Sequence, residues 1–274
     1  MTQSHRRVAA FVAIIGLVLL SAAPSSAIVY GEPDDGRHPY VGLLVFDAEF
    51  DGVAQPAWRC TGSLISPTVV LTAAHCTDGA VGARIWMDED VTPAANAEYP
   101  FGGSTSTEGT PVTIPDYCFY CGGNGLHDFL IRDVGVVLLD EPVAVDRYGQ
   151  LPTAGQVDDL PNKTRMTVVG YGVSVQQRGG GQPVWGGPRV RLVTTSEKVS
   201  GDHRNSHELL RLSSNPAQGK GGSCFGDSGG PALIEGTDII VGITSYGPNG
   251  QCQGLGFYSR VDLEPVLDWI DAVG

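Results

Sequence analysis

Short apolar runs recur along most of the chain and predict β-strands. Each run is rich in Val, Ile and Leu and is bounded by Gly, Pro, Asn or Asp, which is the pattern of strands joined by turns. The predicted strands are Tyr40–Phe46, Val69–Thr72, Val134–Leu139, Met166–Val169, Val190–Thr194, Ile239–Thr244 and Gly256–Val261. Three stretches of mixed composition predict loops, at Asp47–Trp58, Pro93–Arg132 and Ser174–Pro188.

The end of the chain has a different hydrophobic period. Leu263, Val266, Leu267 and Ile270 recur at spacings of three and four residues, so they fall on one face of a helix. We therefore predict a helix over Asp262–Ala272. A mostly-β chain with one terminal helix fits a β-sandwich or β-barrels.

The first 27 residues have the pattern of a secretory signal peptide. Arg6 and Arg7 precede an apolar run, Val8–Leu20, and small residues follow up to Ala27. The alternative is an uncleaved membrane anchor, but the run is shorter than the ~20 residues that a spanning helix needs. We expect cleavage after Ala27, a secreted, extracellular product and no membrane association after cleavage.

Composition and charge narrow the function classes. Apolar residues make up 42% of the 274 residues and charged residues 17%, which excludes an intrinsically disordered chain. A net charge of −13 argues against nucleic-acid binding, because that function needs a positive field. Export would place the six cysteines in an oxidising compartment where disulfides persist, although their spacing alone does not fix the pairing.

Three separated residues together predict acyl-transfer chemistry. Ser228 lies in the glycine-rich segment Gly226–Pro231, where a tight turn lets backbone N–H groups converge on a substrate oxygen. A serine hydroxyl needs a base, and His75 lies upstream of it. Asp133, directly before an apolar strand, is the carboxylate that would orient the base, and Asp128 is its rival.

The chain resembles the trypsin/chymotrypsin family of serine proteases over Ile28–Gly274. The resemblance rests on Ile28–Gly31, Thr72–Cys76, the strand after Asp133, Gly170–Gly172, Gly226–Pro231, Ser245–Gly247 and Gly256–Tyr258. It implies an all-β fold of two antiparallel six-stranded β-barrels packed face to face, with a C-terminal α-helix. The expected barrels span residues 28–148 and 149–274.

The resemblance also implies a mechanism for a secreted serine endopeptidase. Ser228 would attack the scissile carbonyl, His75 would act as general base and then general acid, and Asp133 would orient His75. The N–H groups of Gly226 and Ser228 would form the oxyanion hole. We expect a monomer that needs no cofactor or metal. Its partners would be protein or peptide substrates and proteinaceous protease inhibitors.

The start of the expected mature chain carries a second implication of the family. In relatives, the freed amine of the residue matching Ile28 pairs with the Asp before the nucleophile, here Asp227. Cleavage between Ala27 and Ile28 would release that amine directly. We therefore expect export alone to activate the enzyme.

The family pattern also suggests how the cysteines pair. The resemblance implies two disulfides, Cys60–Cys76 and Cys224–Cys252. Cys118 and Cys121 depart from the common pattern, and we expect a local disulfide between them. The alternatives are a redox-active pair, which usually accompanies a βαβ unit, and a zinc site, for which no second ligand pair is evident.

Specificity is predicted from the pocket positions that the resemblance identifies. Gly222 lies six residues before Ser228, where trypsin-like members have an Asp that holds Arg or Lys. Gly247 and Gly256 match the pocket walls, and Phe225 is placed at the mouth. The predicted substrate-binding set also includes Ser223, Ser245 and Tyr246. An open, uncharged pocket favours cleavage after large apolar or aromatic residues.

Two other functions fit the same fold. A non-catalytic secreted binding protein is one, although such relatives usually lose His or Ser, and both are present here. An esterase using the same three residues is the other. The acidic run Asp88–Asp90 could suggest calcium, but we interpret it as a solvated turn.

Overall fold

The computed structural model describes residues 28, 30–118, 132–173, 175–177, 184–186, 189–199, 207–248 and 252–274. The predicted signal peptide, residues 1–27, lies outside the described residues. Within the described part of the chain, no helix is both long and apolar enough to cross a bilayer.

The secondary structure is dominated by strands. They are β1 (Glu32–Pro33), β2 (Val41–Phe50), β3 (Val53–Ser66), β4 (Val69–Thr72), β5 (Gly82–Trp86), β6 (Ser106–Thr113), β7 (Gly135–Leu139), β8 (Arg165–Gly170), β9 (Val175–Gln177), β10 (Val184–Gly186), β11 (Leu192–Lys198), β12 (Leu209–Ser214), β13 (Pro231–Ile234), β14 (Ile240–Tyr246) and β15 (Gly254–Arg260). The α-helices are α1 (Ala74–Thr77), α2 (Gln156–Asp159) and α3 (Glu264–Val273), and a 3-10 turn spans Pro216–Gln218.

These strands form the two antiparallel barrels that the resemblance implies, so the predicted fold class is confirmed. The first barrel closes in the order β2-β3-β4-β7-β6-β5. The second runs β11-β12-β15-β14-β13-β8 and closes because β11 also pairs with β8. The predicted boundary at residue 148 falls in the connection between β7 and β8.

The two chain ends each pack against the barrel that is distant in sequence. At the start, β1 pairs with β11, and the buried Ile28 side chain joins the apolar core of the second barrel. At the other end, Val266 and Ile270 of α3 belong to the core cluster that contains Val69 of the first barrel. Each end therefore helps to hold the two barrels together.

Each of the three predicted loops contains strand structure, so the predictions were wrong where these strands lie. Asp47–Trp58 is the tip of the β2–β3 hairpin, whose turn places Asp51 at φ +50° and Gly52 at φ +78°. The tip is largely solvent-exposed, so its strands lack the apolar alternation that identifies a half-buried strand. The second stretch contains β6, which includes Gly109 and Pro111, two residue types depleted in strands. The third contains the paired strands β9 and β10.

Candidate active site

His75 and Asp133 are brought together by the pairing of two adjacent strands. β4 and β7 run antiparallel, with Thr72 opposite Gly135. His75 follows the end of β4 in the short helix α1, and Asp133 precedes the start of β7. The two side chains therefore emerge at the same edge of the first barrel.

Two hydrogen bonds join His75 to Asp133. The imidazole Nδ1 lies 2.7 Å from Asp133 Oδ2, and the His75 backbone N–H donates to Asp133 Oδ1 at 2.8 Å. The Asp133 side chain is fully buried, whereas the His75 side chain is 22% exposed. An ionised carboxylate can only accept, so Nδ1 carries the proton and Nε2 is left as an acceptor facing the cleft.

Burial and charge act in opposite directions on this pair. Burial alone would raise the pKa of Asp133, but the charge and hydrogen bonds of His75 and the hydroxyl of Ser245 lower it on balance. Burial would lower the pKa of His75, but the charge and hydrogen bond of Asp133 raise it on balance. The imidazolium is thereby stabilised, as a general base requires.

Ser245 contacts the carboxylate rather than only the substrate pocket. Its hydroxyl donates to Asp133 Oδ2 at 2.6 Å. The contact depends on a bulge, because Thr244 pairs with Tyr258 and Tyr246 with Phe257, which leaves Ser245 out of the ladder. The sequence predicts only a substrate-binding role for Ser245, because no sequence pattern reveals a bulge that redirects one side chain.

The turn that carries Ser228 is held by hydrogen bonds from the first barrel. Thr61 of β3 donates its backbone N–H to the carbonyl of Ser228 at 2.8 Å, and its hydroxyl donates to the carbonyl of Gly226 at 2.9 Å. Gly226 and Gly229 adopt φ values of +95° and +81°, which favour glycine. A Cβ on Gly229 would lie 2.0 Å from the Thr72 hydroxyl, so this turn needs glycine for space as well. Sequence reasoning missed Thr61, which looks like an ordinary strand residue.

Ser228 is partly exposed and makes no hydrogen bond to His75 within the described residues. In free enzymes such contacts are often long and tighten only when substrate binds. Asp128, the rival carboxylate, lies outside the described residues.

Asp227 is a fully buried carboxyl whose oxygens are held by two backbone N–H groups. Gly172 donates to Oδ1 and Cys224 to Oδ2, each at 2.8 Å. Burial raises the pKa of Asp227 to about 7, although both N–H groups and the charge of Arg59 oppose the rise. In the full-length chain the nitrogen of Ile28 is a peptide nitrogen, so its pairing with Asp227 stays a prediction.

A cavity of about 200 Å³ opens beside Ser228. It is lined by Ser223, Cys224, Phe225, Ser228, Thr244, Ser245, Tyr246, Gly247, Cys252 and Leu255. No charged side chain is among these residues. Two lining residues are held in place by their neighbours. The buried Tyr258 hydroxyl donates to Ser223 Oγ at 3.1 Å, and the ring of Tyr246 stacks on that of Phe257 with 4.6 Å between the ring centroids.

Two of the predicted pocket glycines do not line this cavity. A Cβ on Gly222 would lie 1.9 Å from Ser214 Oγ, and one on Gly256 would lie 2.9 Å from the ring of Tyr258. Leu255 and Cys252 form the wall instead. Phe225 lines the cavity and is 53% exposed; its role at the mouth stays a prediction.

The described cysteines are oxidised. The structure contains disulfides between Cys60 and Cys76 and between Cys224 and Cys252. The first lies directly beside His75, and neither sulfur is therefore free to join that histidine as a metal ligand. Cys118 is also disulfide-bonded, and its predicted partner Cys121 lies outside the described residues.

The acidic run Asp88–Asp90 has structural contacts. A Glu89 side-chain oxygen accepts the Asp35 N–H at 2.6 Å, and an Asp90 side-chain oxygen accepts the Thr92 N–H at 2.8 Å. These bonds tie the segment to its neighbours.

Comparison with known proteins identifies the family of the chain. The chain matches the Trypsin family over residues 28–270. It is 31% identical to brachyurin from Leptuca pugilator over 77% of this chain and 85% of that protein. It is 28% identical to glucanase inhibitor protein 3 from Phytophthora sojae (strain P6497) over 78% of each chain.

A solved structure shares the fold. The structure of HL collagenase superposes with a TM-score of 0.66 at 20% identity, covering 90% of this chain and 98% of that one. With a family match across most of its length and a double-barrel fold, the chain belongs to the trypsin family of serine proteases.

Proposed function

We propose that the protein is a secreted serine endopeptidase in which His75, Asp133 and Ser228 form the catalytic triad. The observation that carries the proposal is the buried Asp133 carboxylate, which accepts hydrogen bonds from His75 and Ser245 beside the Ser228 turn. This arrangement fixes the imidazole with Nε2 as the acceptor, as proton removal from a serine hydroxyl requires.

Acylation follows from these positions. Ser228 Oγ attacks the scissile carbonyl carbon while its proton passes to His75 Nε2, and the N–H groups of Gly226 and Ser228 bind the oxyanion. His75 then donates this proton to the amine as the carbon–nitrogen bond breaks, which leaves an ester on Ser228. A water molecule then attacks the ester carbonyl while His75 takes its proton. His75 returns the proton to Ser228 Oγ as the ester bond breaks, which releases the carboxylic acid and restores the serine.

The Ser245 hydroxyl is a positioning group in this scheme, and its removal has a defined expected effect. Ser245→Ala should lower kcat about tenfold, since one charge-assisted hydrogen bond to Asp133 is lost while those from His75 remain. Steady-state kinetics would measure it. An unchanged kcat would show that this bond does not support His75.

Ile28 is the proposed N-terminus of the active enzyme. The proposal is that removal of residues 1–27 frees an amine that pairs with Asp227 and so supports the neighbouring oxyanion-hole turn. N-terminal sequencing of the secreted protein tests this step, and a start other than Ile28 would contradict it.

The uncharged cavity beside Ser228 supports cleavage after large apolar or aromatic residues. Peptides that differ only before the cleaved bond, with Phe, Tyr, Leu, Ala, Arg or Glu there, should be cleaved best with Phe, Tyr or Leu. The mature protein from Ile28 would be assayed beside Ser228→Ala. A preference for Arg would contradict the predicted apolar specificity of the cavity while leaving the proposed triad mechanism unaffected.

A non-catalytic binding protein is the second candidate, and one relative favours it. Glucanase inhibitor protein 3 is named as an inhibitor and matches this chain at 28% identity. Peptide hydrolysis distinguishes an endopeptidase from a binding protein. A binding protein that begins at Ile28 would cleave none of the peptides.

A further inference from the structure

Two arginine side chains near the nucleophile turn lack an acidic partner. Seven described arginines form ion pairs with carboxylates, but Arg59 in β3 and Arg189 before β11 form none in the described part of the chain. This is unexpected in a chain of net charge −13, where acidic groups outnumber basic ones.

Both guanidinium groups gather around one aromatic ring. The Arg189 guanidinium carbon lies 4.6 Å from the ring centroid of Tyr99, and Tyr99 lies beside Arg59 in the wall of one cleft. The guanidinium of Arg59, the ring of Tyr99 and the neighbouring Trp58 and Pro100 line a cleft of about 230 Å³.

Each guanidinium also has a buried N–H that finds no acceptor. Arg59 Nη1 and Arg189 Nε are both inaccessible to solvent and without a hydrogen-bond partner. A buried donor without an acceptor costs free energy, and for a charged group the cost is larger. The charge of Asp227 acts on Arg59, but the oxygens of Asp227 accept hydrogen bonds from the backbone of Gly172 and Cys224. Both side chains are only half-buried, so a carboxylate that reached their remaining N–H groups would supply the acidic partner that the two guanidinium groups lack.

The position of Arg59 places this cleft on one side of the reacting bond. Thr61, two residues along β3, holds the Ser228 carbonyl, and a Cβ on Gly226 would lie 3.4 Å from Arg59 Nε. The apolar cavity opens on the other side of the Ser228 turn, toward Tyr246. Since that cavity takes the acyl half of a substrate, the half that leaves as the amine extends toward Arg59.

We propose that Arg59 and Arg189 form an anion subsite that binds an acidic side chain within the first three residues after the scissile bond. The proposal rests on the proposed endopeptidase function and adds a substrate class to it: peptides with an apolar residue before the cut and Asp or Glu shortly after it. Arginine suits this role because its fork of donors binds a carboxylate through two hydrogen bonds.

A peptide series tests the subsite. Substrates would keep Phe before the cut and carry Glu or Gln at each of the three positions after it, one position at a time. With the mature enzyme, one position should favour Glu over Gln roughly tenfold in kcat/KM, and the ratio should fall as salt is raised. In Arg59→Gln and Arg189→Gln the same ratio should approach one.

The control removes an equal charge elsewhere. Arg165 is an exposed residue at the opposite end of β8 from Gly170 and pairs with Glu235, so Arg165→Gln should keep the tenfold ratio. Cleavage of all peptides with no Glu preference would overturn the subsite while leaving the endopeptidase intact. Absence of cleavage with every peptide would overturn the proposed function itself, and the subsite with it.

Discussion

Asp133→Asn is expected to lower kcat about 10⁴-fold, the size of effect that this substitution has in reference enzymes of the family. An asparagine can present its NH₂ group to His75, which favours the tautomer with Nε2 protonated and removes the acceptor that Ser228 needs. The buried position strengthens the effect, because no water can replace the lost carboxylate. Peptide hydrolysis by purified mature protein would measure it.

A control separates this effect from general disturbance of the strand. Asp140 is an exposed carboxylate directly after β7, at the opposite end of the same strand. Asp140→Asn should retain full activity, and both variants should show the folded far-UV spectrum of the parent. Near-normal turnover by a folded Asp133→Asn would assign the orienting role to another carboxylate.

The second large effect concerns Asp227. Asp227→Asn in the mature protein is expected to lower kcat about 10³-fold, because the amine of Ile28 loses its partner and the oxyanion-hole turn loses its support. A chain that keeps residues before Ile28 should be similarly impaired. Full activity in either form would show that the turn is already formed without the ion pair.

The same pair predicts two opposite pH dependences. In the unprocessed chain the pKa of Asp227 is raised from 3.8 to about 7, so the folded state holds a proton more tightly than the unfolded state does. The contribution of Asp227 to stability is therefore greatest below about pH 4 and falls as pH rises to about 7. In the mature chain the proposed ion pair would be lost as the Ile28 amine deprotonates at alkaline pH, so the contribution of the pair to stability would be lost there.

Denaturant unfolding at several pH values would check both statements. Ser228→Ala proteins with and without the residues before Ile28 avoid self-cleavage and allow a direct comparison. The longer protein should weaken between pH 4 and pH 7, whereas the shorter one should weaken above about pH 8. Identical profiles would mean that Ile28 and Asp227 do not interact.

Much of the fold could be predicted because its buried strands carry a strong apolar pattern. Val69–Thr72 is the same in the prediction and in the structure, and the end of the chain is helical as predicted. The pattern fails at the tip of the β2–β3 hairpin, which is exposed, and in β6, where Gly109 and Pro111 resemble loop residues. There, pairing with neighbouring strands overrides local preference.

The candidate site also has a part that the sequence identifies and a part that only the folded chain reveals. The sequence identifies His75, Asp133 and Ser228 as candidates because each lies in a distinctive segment, and their catalytic roles stay predictions. The contacts that support these residues could not be predicted from the sequence. The Ser245 hydroxyl hydrogen-bonds Asp133 because of a bulge, and the Thr61 N–H of the first barrel donates to the Ser228 carbonyl of the second. Arg59 and Arg189 are far apart in sequence and come together only in the folded chain.

Direct detection of an acyl-enzyme would test the central claim most sharply. The mature protein from Ile28 would be mixed with an active ester of an N-blocked phenylalanine at mildly acidic pH, quenched and analysed by mass spectrometry, beside Ser228→Ala and His75→Ala. The account predicts one acyl group, located on Ser228 and absent from both variants. An acyl group on another residue, or none on a protein that begins at Ile28, would contradict it.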